Sequence, residues 1–293
     1  MNKPLVHSFF DEKTNTNSYI VADPVTREAA IIDSVLDFDL ASGSLTTESA
    51  DAIIERVKKE GYTVVWILET HAHADHITAA QYLKKSLGGK VAIGEQITEV
   101  QTFFAAAFHL SDTFHADGRQ FDKLWKDGET FQIGSLTATV IATPGHTPAD
   151  VSYLVGDALF VGDTVFMPDH GTARCDFPGG SAETLYDSIH RLYALPDDVK
   201  LYHCHDYLSS ARTEYRWESS LELQKMSNIH VANGKGKRQF VEQRLTRDAT
   251  LGMPKLIIPS LQINIRAGQL PDPEENGMSY LKIPVNGVFS KQT

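Results

Sequence analysis

Between residues 71 and 76 the chain reads His-Ala-His-Ala-Asp-His, three imidazoles and a carboxylate in six residues, directly behind the apolar run Val64-Val65-Trp66-Ile67-Leu68. An extended chain alternates its side chains, so His71 and His73 leave the strand end on one side, while Asp75 and His76 begin the next turn and converge from another direction. Neutral imidazoles and carboxylates are common ligands of zinc and iron, so the stretch reads as a metal site; a histidine-rich solvated loop is the plain alternative. The spacing is not that of the helical HExxH pattern. Further ligand candidates recur in the same context: the apolar runs 136–142, 158–161 and 199–202 lead into His146, Asp163 and His205. Four strands that each finish in a ligand candidate call for a fold that brings strand ends together along one sheet edge.

The 293 residues, 42% of them apolar, suffice for one large domain with a sizeable core. Residues 1–10 lack the apolar core of a signal peptide, and no run of about 18 apolar residues occurs. The expectation is a soluble cytoplasmic protein with no membrane partner. Cys175 and Cys204 have no CxxC companion, so neither a disulfide framework nor a thiolate cage is expected, only two reduced thiols. A net charge of -11 speaks against nucleic acid as a partner, because that affinity rests on Lys and Arg neutralising phosphates. The charge is uneven. Residues 212–266 hold ten Lys and Arg against five Asp and Glu, a net of +5, and the remainder holds 17 against 33, a net of -16. The cationic segment is either a solvated helical face or a rim that draws a small anionic substrate toward the metal.

Residues 5–10, 16–22 and 28–33 read as a strand meander, followed by a helix over 47–60 with Ala50, Ile53, Ile54 and Val57 on one face and Gly61 as its stop. A strand over 62–69 delivers the histidine motif; helices are expected over 77–87 and 96–108, with a strand at 91–93 between them. In the second half, strands on either side of Gly134-Ser135, at 151–155, 158–161 and 199–202, accompany a helix over 182–195. Residues 209–228 and 239–248 read as helices around a Gly- and Lys-rich loop at 231–238, and the proline-spaced tail reads as mostly extended. Two sheet-forming halves flanked by helices imply an α/β (α+β) fold with αββα layers. Residues 1–210 would be the domain, and 211–293 a helical and extended segment packed on it.

HAHADH, TPGHT at 143–147, GDT at 162–164 and HDY at 205–207, in that order, resemble the metallo-β-lactamase superfamily over roughly residues 5–210. Within it the chain is most similar to the persulfide dioxygenases (sulfur dioxygenases), relatives of glyoxalase II. That narrower resemblance rests on TNSYIVADPVTREAAIID near the start, GTARCDF at 171–177, YHCHDY at 202–207 and, more weakly, Met253-Pro254-Lys255 and Asn264-Ile265-Arg266. The stretch from Met167 to Arg174 departs from the family's usual Gly-Cys-Gly-Arg but keeps the arginine in register.

The resemblance implies an enzyme that oxidises glutathione persulfide with O2 to sulfite and glutathione at one Fe(II) per chain, held by His71, His146 and Asp163. Two histidines and a carboxylate on one face of an octahedron leave positions for sulfur and dioxygen. It further implies Arg174 beside a glutathione carboxylate and Tyr207 as a hydroxyl donor on the opposite rim, with Asp163 and Tyr207 as candidate catalytic residues. An ion pair of Arg174 with Asp169 or Asp176 is the equal alternative. Asp75, His76 and His205 match the second-metal ligands of hydrolytic relatives, with Asp163 bridging. The alternative function is therefore a glyoxalase-II-like thioesterase (hydroxyacylglutathione hydrolase) with two Zn about 3.5–4 Å apart; a non-enzymatic metal-bound module is a third. In a one-iron enzyme, His205, Asp75 and His76 would instead orient the ligands by hydrogen bonds, Asp206 would orient His205 or a backbone turn, and His73 would be a ligand or a hydrogen-bond partner. The other histidines, His170 among them, read as surface or packing residues. The sequence leaves the oligomeric state open, a homodimer included.

Overall fold

In a computed structural model, which describes residues 3–110, 114–210 and 212–287, the chain forms two six-stranded sheets. Strands β1 (Leu5–Asp11), β2 (Thr16–Ala22) and β3 (Glu28–Ile32) make an antiparallel meander. After the short hairpin β4 (Val35–Asp39) and β5 (Ser44–Thr46), helix α1 (Glu48–Glu60) carries the chain to β6 (Thr63–Leu68), which joins β3 in parallel. The two-residue β7 (Ile77–Thr78) pairs with β4, and helix α2 (Ala80–Leu87) leads to β8 (Lys90–Gly94). Helix α3 (Ile97–Ala107) precedes β9 (Lys123–Trp125), the parallel edge of the first sheet.

The second sheet runs antiparallel through β10 (Thr130–Ile133), β11 (Leu136–Ala142), β12 (Val151–Val155) and β13 (Ala158–Phe160). Helix α4 (Ala182–Tyr193) returns the chain to β14 (Lys200–Tyr202), parallel to β13, and β15 (Glu218–Ser220) closes the edge. Helices α5 (Leu221–Ser227), α6 (Lys237–Asp248) and α7 (Ile257–Asn264) follow.

The side-chain period of two on β2 shows how the layers form. Tyr19 and Val21 point between the sheets, where they meet Val140, Tyr153 and Phe160 of the second sheet, while Ile20 and Ala22 point outward to Ile53, Leu83 and Phe104 of the flanking helices. A third apolar cluster, with Leu159, Leu185, Leu201 and Phe240, lies under α4 and α6. The result is the αββα arrangement that the alternation of strands and helices implies. Helix α1 illustrates the local logic: Glu48 and Asp51 sit at its positive end, Lys58 and Lys59 at its negative end, and Gly61 ends it in the left-handed region at φ 66°. Among the described residues, no helix is long and apolar enough to cross a membrane.

The structure departs from the sequence reading mainly after residue 207. The helix expected over 209–228 is only α5; residues 218–220 instead add β15 to the sheet, because Arg212 is held by Asp169 and Asp206 and Ser220 caps the helix that follows by accepting from Leu223 N at 3.1 Å. The tail expected to be extended contains α7, with Pro259 in its first turn, where no intrahelical N–H is needed. In the first half, 77–78 is a strand and the helix starts at Ala80, and β4, β5 and β9 went unread: β5 and β9 have three residues each, and Asp37 and Asp39 interrupt the apolar residues of β4. Both cysteines are buried free thiols, as expected.

Candidate metal centre

The four ligand-bearing loops leave neighbouring strand ends. β6 leads to His71, β11 to His146, β13 to Asp163 and β14 to His205, and Val151 N donates to Thr70 O at 2.9 Å, stitching one sheet to the other beside the motif. Gly162 permits the closest approach. It has φ 50°, and a Cβ there would lie 2.5 Å from Thr70 Oγ1, so any larger residue would push the loop bearing Asp163 away from the strand end bearing His71.

His71, His146 and Asp163 form one group. His71 Nδ1 is 3.1 Å from Thr70 Oγ1 and His146 Nδ1 donates to Arg174 O at 2.8 Å, so each Nε2 is left toward Asp163 Oδ2, at 3.9 and 3.7 Å. His73, Asp75, His76 and His205 form a second group, in which His205 Nδ1 donates to Asn15 O at 3.1 Å. Asp163 touches both, because its Oδ1 is 3.3 Å from His205 Nε2, which is also 3.3 Å from Asp75 Oδ2.

Six atoms here are buried without a hydrogen-bond partner: His71 Nε2, His73 Nδ1, Asp75 Oδ2, His76 Nε2, Asp163 Oδ1 and His205 Nε2. Each such atom ordinarily costs about 1–3 kcal/mol, and six converging ones make a donor set that a cation would satisfy. The residues present therefore fit a bound metal. Burial, aided by the neighbouring imidazoles, holds His71 well below the usual histidine range, which keeps the ring a lone-pair donor. Burial would also depress His205, but Asp163 and Asp75 outweigh it and raise the group well above that range. Against its own burial, Asp75 is held far below the carboxylate range by His205 and His76.

Behind the ligands lies a carboxylate layer that sequence reasoning missed. Asp33 Oδ1 is 3.0 Å from His73 Nε2 and also takes the Thr70 N–H at 2.7 Å, while Glu69 Oε2 stands 3.4 Å from the same His73 nitrogen. This fixes the His73 ring with Nδ1 toward the site, so His73 joins the second group and is hydrogen-bonded at once. Asp33 had a signal, a carboxylate just past an apolar strand like Asp163, but it lies inside the span read simply as strand.

A cavity of about 950 Å³ opens over the centre. His76, His146, Asp163 and Tyr207 line it near the ligands, together with Leu36, Phe38 and Leu40 of the β4–β5 hairpin and with Arg174, Arg247, Met253 and Lys255. Arg174 forms the ion pair that was the alternative reading: Nε and Nη2 reach Asp176 at 2.5 and 2.7 Å, and Nη1 donates to Gly252 O at 2.6 Å. Asp169 pairs with Arg212 instead. Asp206 points away from the ligands and accepts from Arg212 and from the N–H groups of Leu208 and Arg216, so it orders the backbone turn and not the His205 ring. Tyr207 stacks on His205, ring centroids 5.5 Å apart, and His170 lies 5.0 Å from Tyr207 on the cavity wall, outside both ligand groups.

A profile of the metallo-beta-lactamase superfamily matches residues 12–205. A beta-lactamase hydrolase-like protein of Xylella fastidiosa is 50% identical over 97% of this chain, which spans 65% of that relative's length. Glyoxylase B2 of Dictyostelium discoideum is 48% identical over 97% of this chain and 98% of its own. The persulfide dioxygenase ETHE1 of Bos taurus is 32% identical over 69% of this chain and 68% of its own. The crystal structure of ETHE1 from Myxococcus xanthus superposes with a TM-score of 0.72 at 30% identity, over 90% of this chain and all of that one.

Proposed function

The chain belongs to the metallo-β-lactamase superfamily and is an enzyme of it, and from that premise we propose that it is a persulfide dioxygenase, oxidising glutathione persulfide with O2 and, after hydrolysis by one water, releasing sulfite and glutathione. The observation that carries the reading is the trio His71, His146 and Asp163, two imidazoles engaged through Nδ1 and a carboxylate with an unpartnered oxygen, together at the base of an open cavity. These residues would hold one Fe(II), which when bound supplies the redox chemistry and free coordination positions that oxygen insertion into sulfur needs. The likeness to the Myxococcus and Bos taurus proteins supports the same reading.

The chain's own residues position the substrate. Arg174, Arg247 and Lys255 give one cavity wall a positive charge suited to the two carboxylates of a glutathione carrier. Arg174 uses three of its five N–H donors on Asp176 and Gly252 O, so two remain for a substrate carboxylate. Tyr207, which also lines the cavity, offers a phenolic donor.

A second reading has its own observation. The unpartnered atoms of Asp75, His76 and His205 make a second donor group that shares Asp163, which suits a two-metal thioesterase, and the likeness to Glyoxylase B2 supports it. Oxygen uptake by the iron-loaded protein on glutathione persulfide, run beside hydrolysis of S-lactoylglutathione, separates the two. Uptake without hydrolysis is the expected result. Hydrolysis without uptake, with two metals per chain, replaces the dioxygenase by the hydrolase.

A further inference from the structure

Helix α7 lies against β7, and near its end Asn264 reaches the ligand loop, 191 residues from His73 and 188 from His76 along the chain. Its Nδ2 donates to the backbone oxygens of both His73 and His76, each at 2.8 Å, and its Oδ1 accepts from Thr78 N at 3.0 Å. The residue is only 3% exposed. The same two histidines turn their rings the other way, with His73 Nδ1 and His76 Nε2 unpartnered among the second ligand group. One amide therefore fixes three backbone groups of the turn that carries Asp75 and His76.

We propose that Asn264 is a positioning residue for the metal centre, through which the C-terminal segment sets the geometry of the 73–78 turn. The inference rests on the metal-binding reading above but is indifferent to which metal is held and which reaction follows. The chemistry of the side chain is specific. A primary amide presents two N–H donors and one acceptor in a plane, matching two carbonyls and one N–H. A carboxylate of the same shape keeps the bond from Thr78 N but sets an acceptor against two carbonyl oxygens. No side chain on the ligand loop itself does this: Glu69 and Asp33 hold the His73 ring, and its backbone is left to Asn264. Gln262, two residues earlier and 1% exposed, spends its amide on Ile258 O, Lys282 O and Lys282 N, so it ties the tail to the helix without touching the ligand loop.

That pair supplies the test. Full-length wild type, Asn264→Asp and Gln262→Ala are compared by chelator competition for metal affinity, by the visible spectrum of the cobalt-substituted protein and by thermal midpoint. Asn264→Asp is expected to weaken metal binding at least about ten-fold and to alter the cobalt bands, the range seen when groups that orient ligands are lost. Gln262→Ala is expected to lower the midpoint with affinity and spectrum unchanged. Wild-type affinity and spectrum in Asn264→Asp overturn the proposal, as does an equal loss of affinity in Gln262→Ala, which would make the effect one of general stability. If the aspartate variant does not fold, Asn264→Ser, a shorter neutral side chain that cannot span both carbonyls, is read by the same criteria. A wild-type chain that holds no metal overturns the metal-binding reading and this inference with it, whereas failure of Asn264 alone leaves that reading intact.

Discussion

The ligand-bearing strand ends and the C-terminal segment face the same cavity, yet they are built on opposite physical terms. At the strand ends, charge is paired, crowded and mostly buried: Asp33, Glu69 and Asp163, with the partly exposed Asp75, sit among the buried His71, His73, His76 and His205. On the C-terminal side, Arg247 and Lys255 are exposed and form no ion pair among the described residues. A buried cluster loses much when one member goes, because its partners stay buried without compensation; an exposed cation loses little.

Asp163→Ala should show the largest effect. Asp163 is the one residue shared by both ligand groups, so its removal should leave purified protein with no stoichiometric metal and no turnover, measured by elemental analysis beside oxygen uptake. Retained stoichiometric metal would remove Asp163 from the ligand set. His205→Ala separates the two readings more finely. In a one-iron dioxygenase it should keep about one metal per chain and lower the rate about ten-fold or more, whereas in a two-metal hydrolase the metal count should fall by half.

The next effect joins the two regions through His230. Its Nδ1 accepts from Thr172 N at 3.0 Å, which fixes the loop leading to Arg174, and Arg244 lies beside it. Burial, then Arg244 and Lys235, push His230 down to about 3. The folded state thus resists a proton that the unfolded chain takes up near pH 6.5, so this contribution is complete above that pH and is lost as pH falls toward 3. Between pH 7 and pH 5 the group alone should cost about 2 kcal/mol of stability. His230→Asn retains an acceptor for Thr172 N but has no proton to gain, so denaturation midpoints at the two pH values should lie closer together than in wild type. An unchanged gap would mean that His230 is not the titrating group.

How far the sequence reaches follows the same division. Strands that run straight into His71, His146, Asp163 and His205 carry their ligands within a few residues, so apolar runs and local motifs were enough to find both the sandwich and the metal edge. Asp33 escaped because its role appears only where β3 meets the end of β6, through Thr70 and His73. Asn264 entered only through the weak resemblance at Asn264-Ile265-Arg266, with no role attached: it lies in a proline-spaced tail read as extended, and its partners are backbone atoms nearly two hundred residues away, which no local pattern encodes. The Arg174 to Asp176 pair was one of two readings two residues apart in sequence, and only the packed loop shows it formed. The helix expected over 209–228 overlooks the period of two in residues 212–217, where Arg212, Glu214 and Arg216 alternate with Thr213, Tyr215 and Trp217 as in extended chain, and Asp206 and Asp169 hold Arg212 there.

The cavity's cations should give the smallest effects, graded by how firmly each is held. Arg174 is anchored, its side chain 16% exposed and its fork already on Asp176. Its removal should raise KM for glutathione persulfide by the equivalent of about 1.5–3 kcal/mol with metal content unchanged, the range for losing a charge-assisted hydrogen bond. Arg247 ends α6 and Lys255 precedes α7, both reaching the cavity from solvent. An exposed charge acts at a distance and is screened within about 10 Å at 0.1 M salt, so Arg247→Ala or Lys255→Ala should raise KM only about two- to five-fold, leave kcat alone and lose the effect as salt is raised. The contrast in salt dependence is the decisive reading. If Arg174→Ala proved as salt-sensitive as Arg247→Ala, the arginine would be one more steering charge and not a substrate contact; if Arg247→Ala and Lys255→Ala changed KM by the same factor at low and high salt, the cationic wall would be a binding surface in direct contact with the carboxylates.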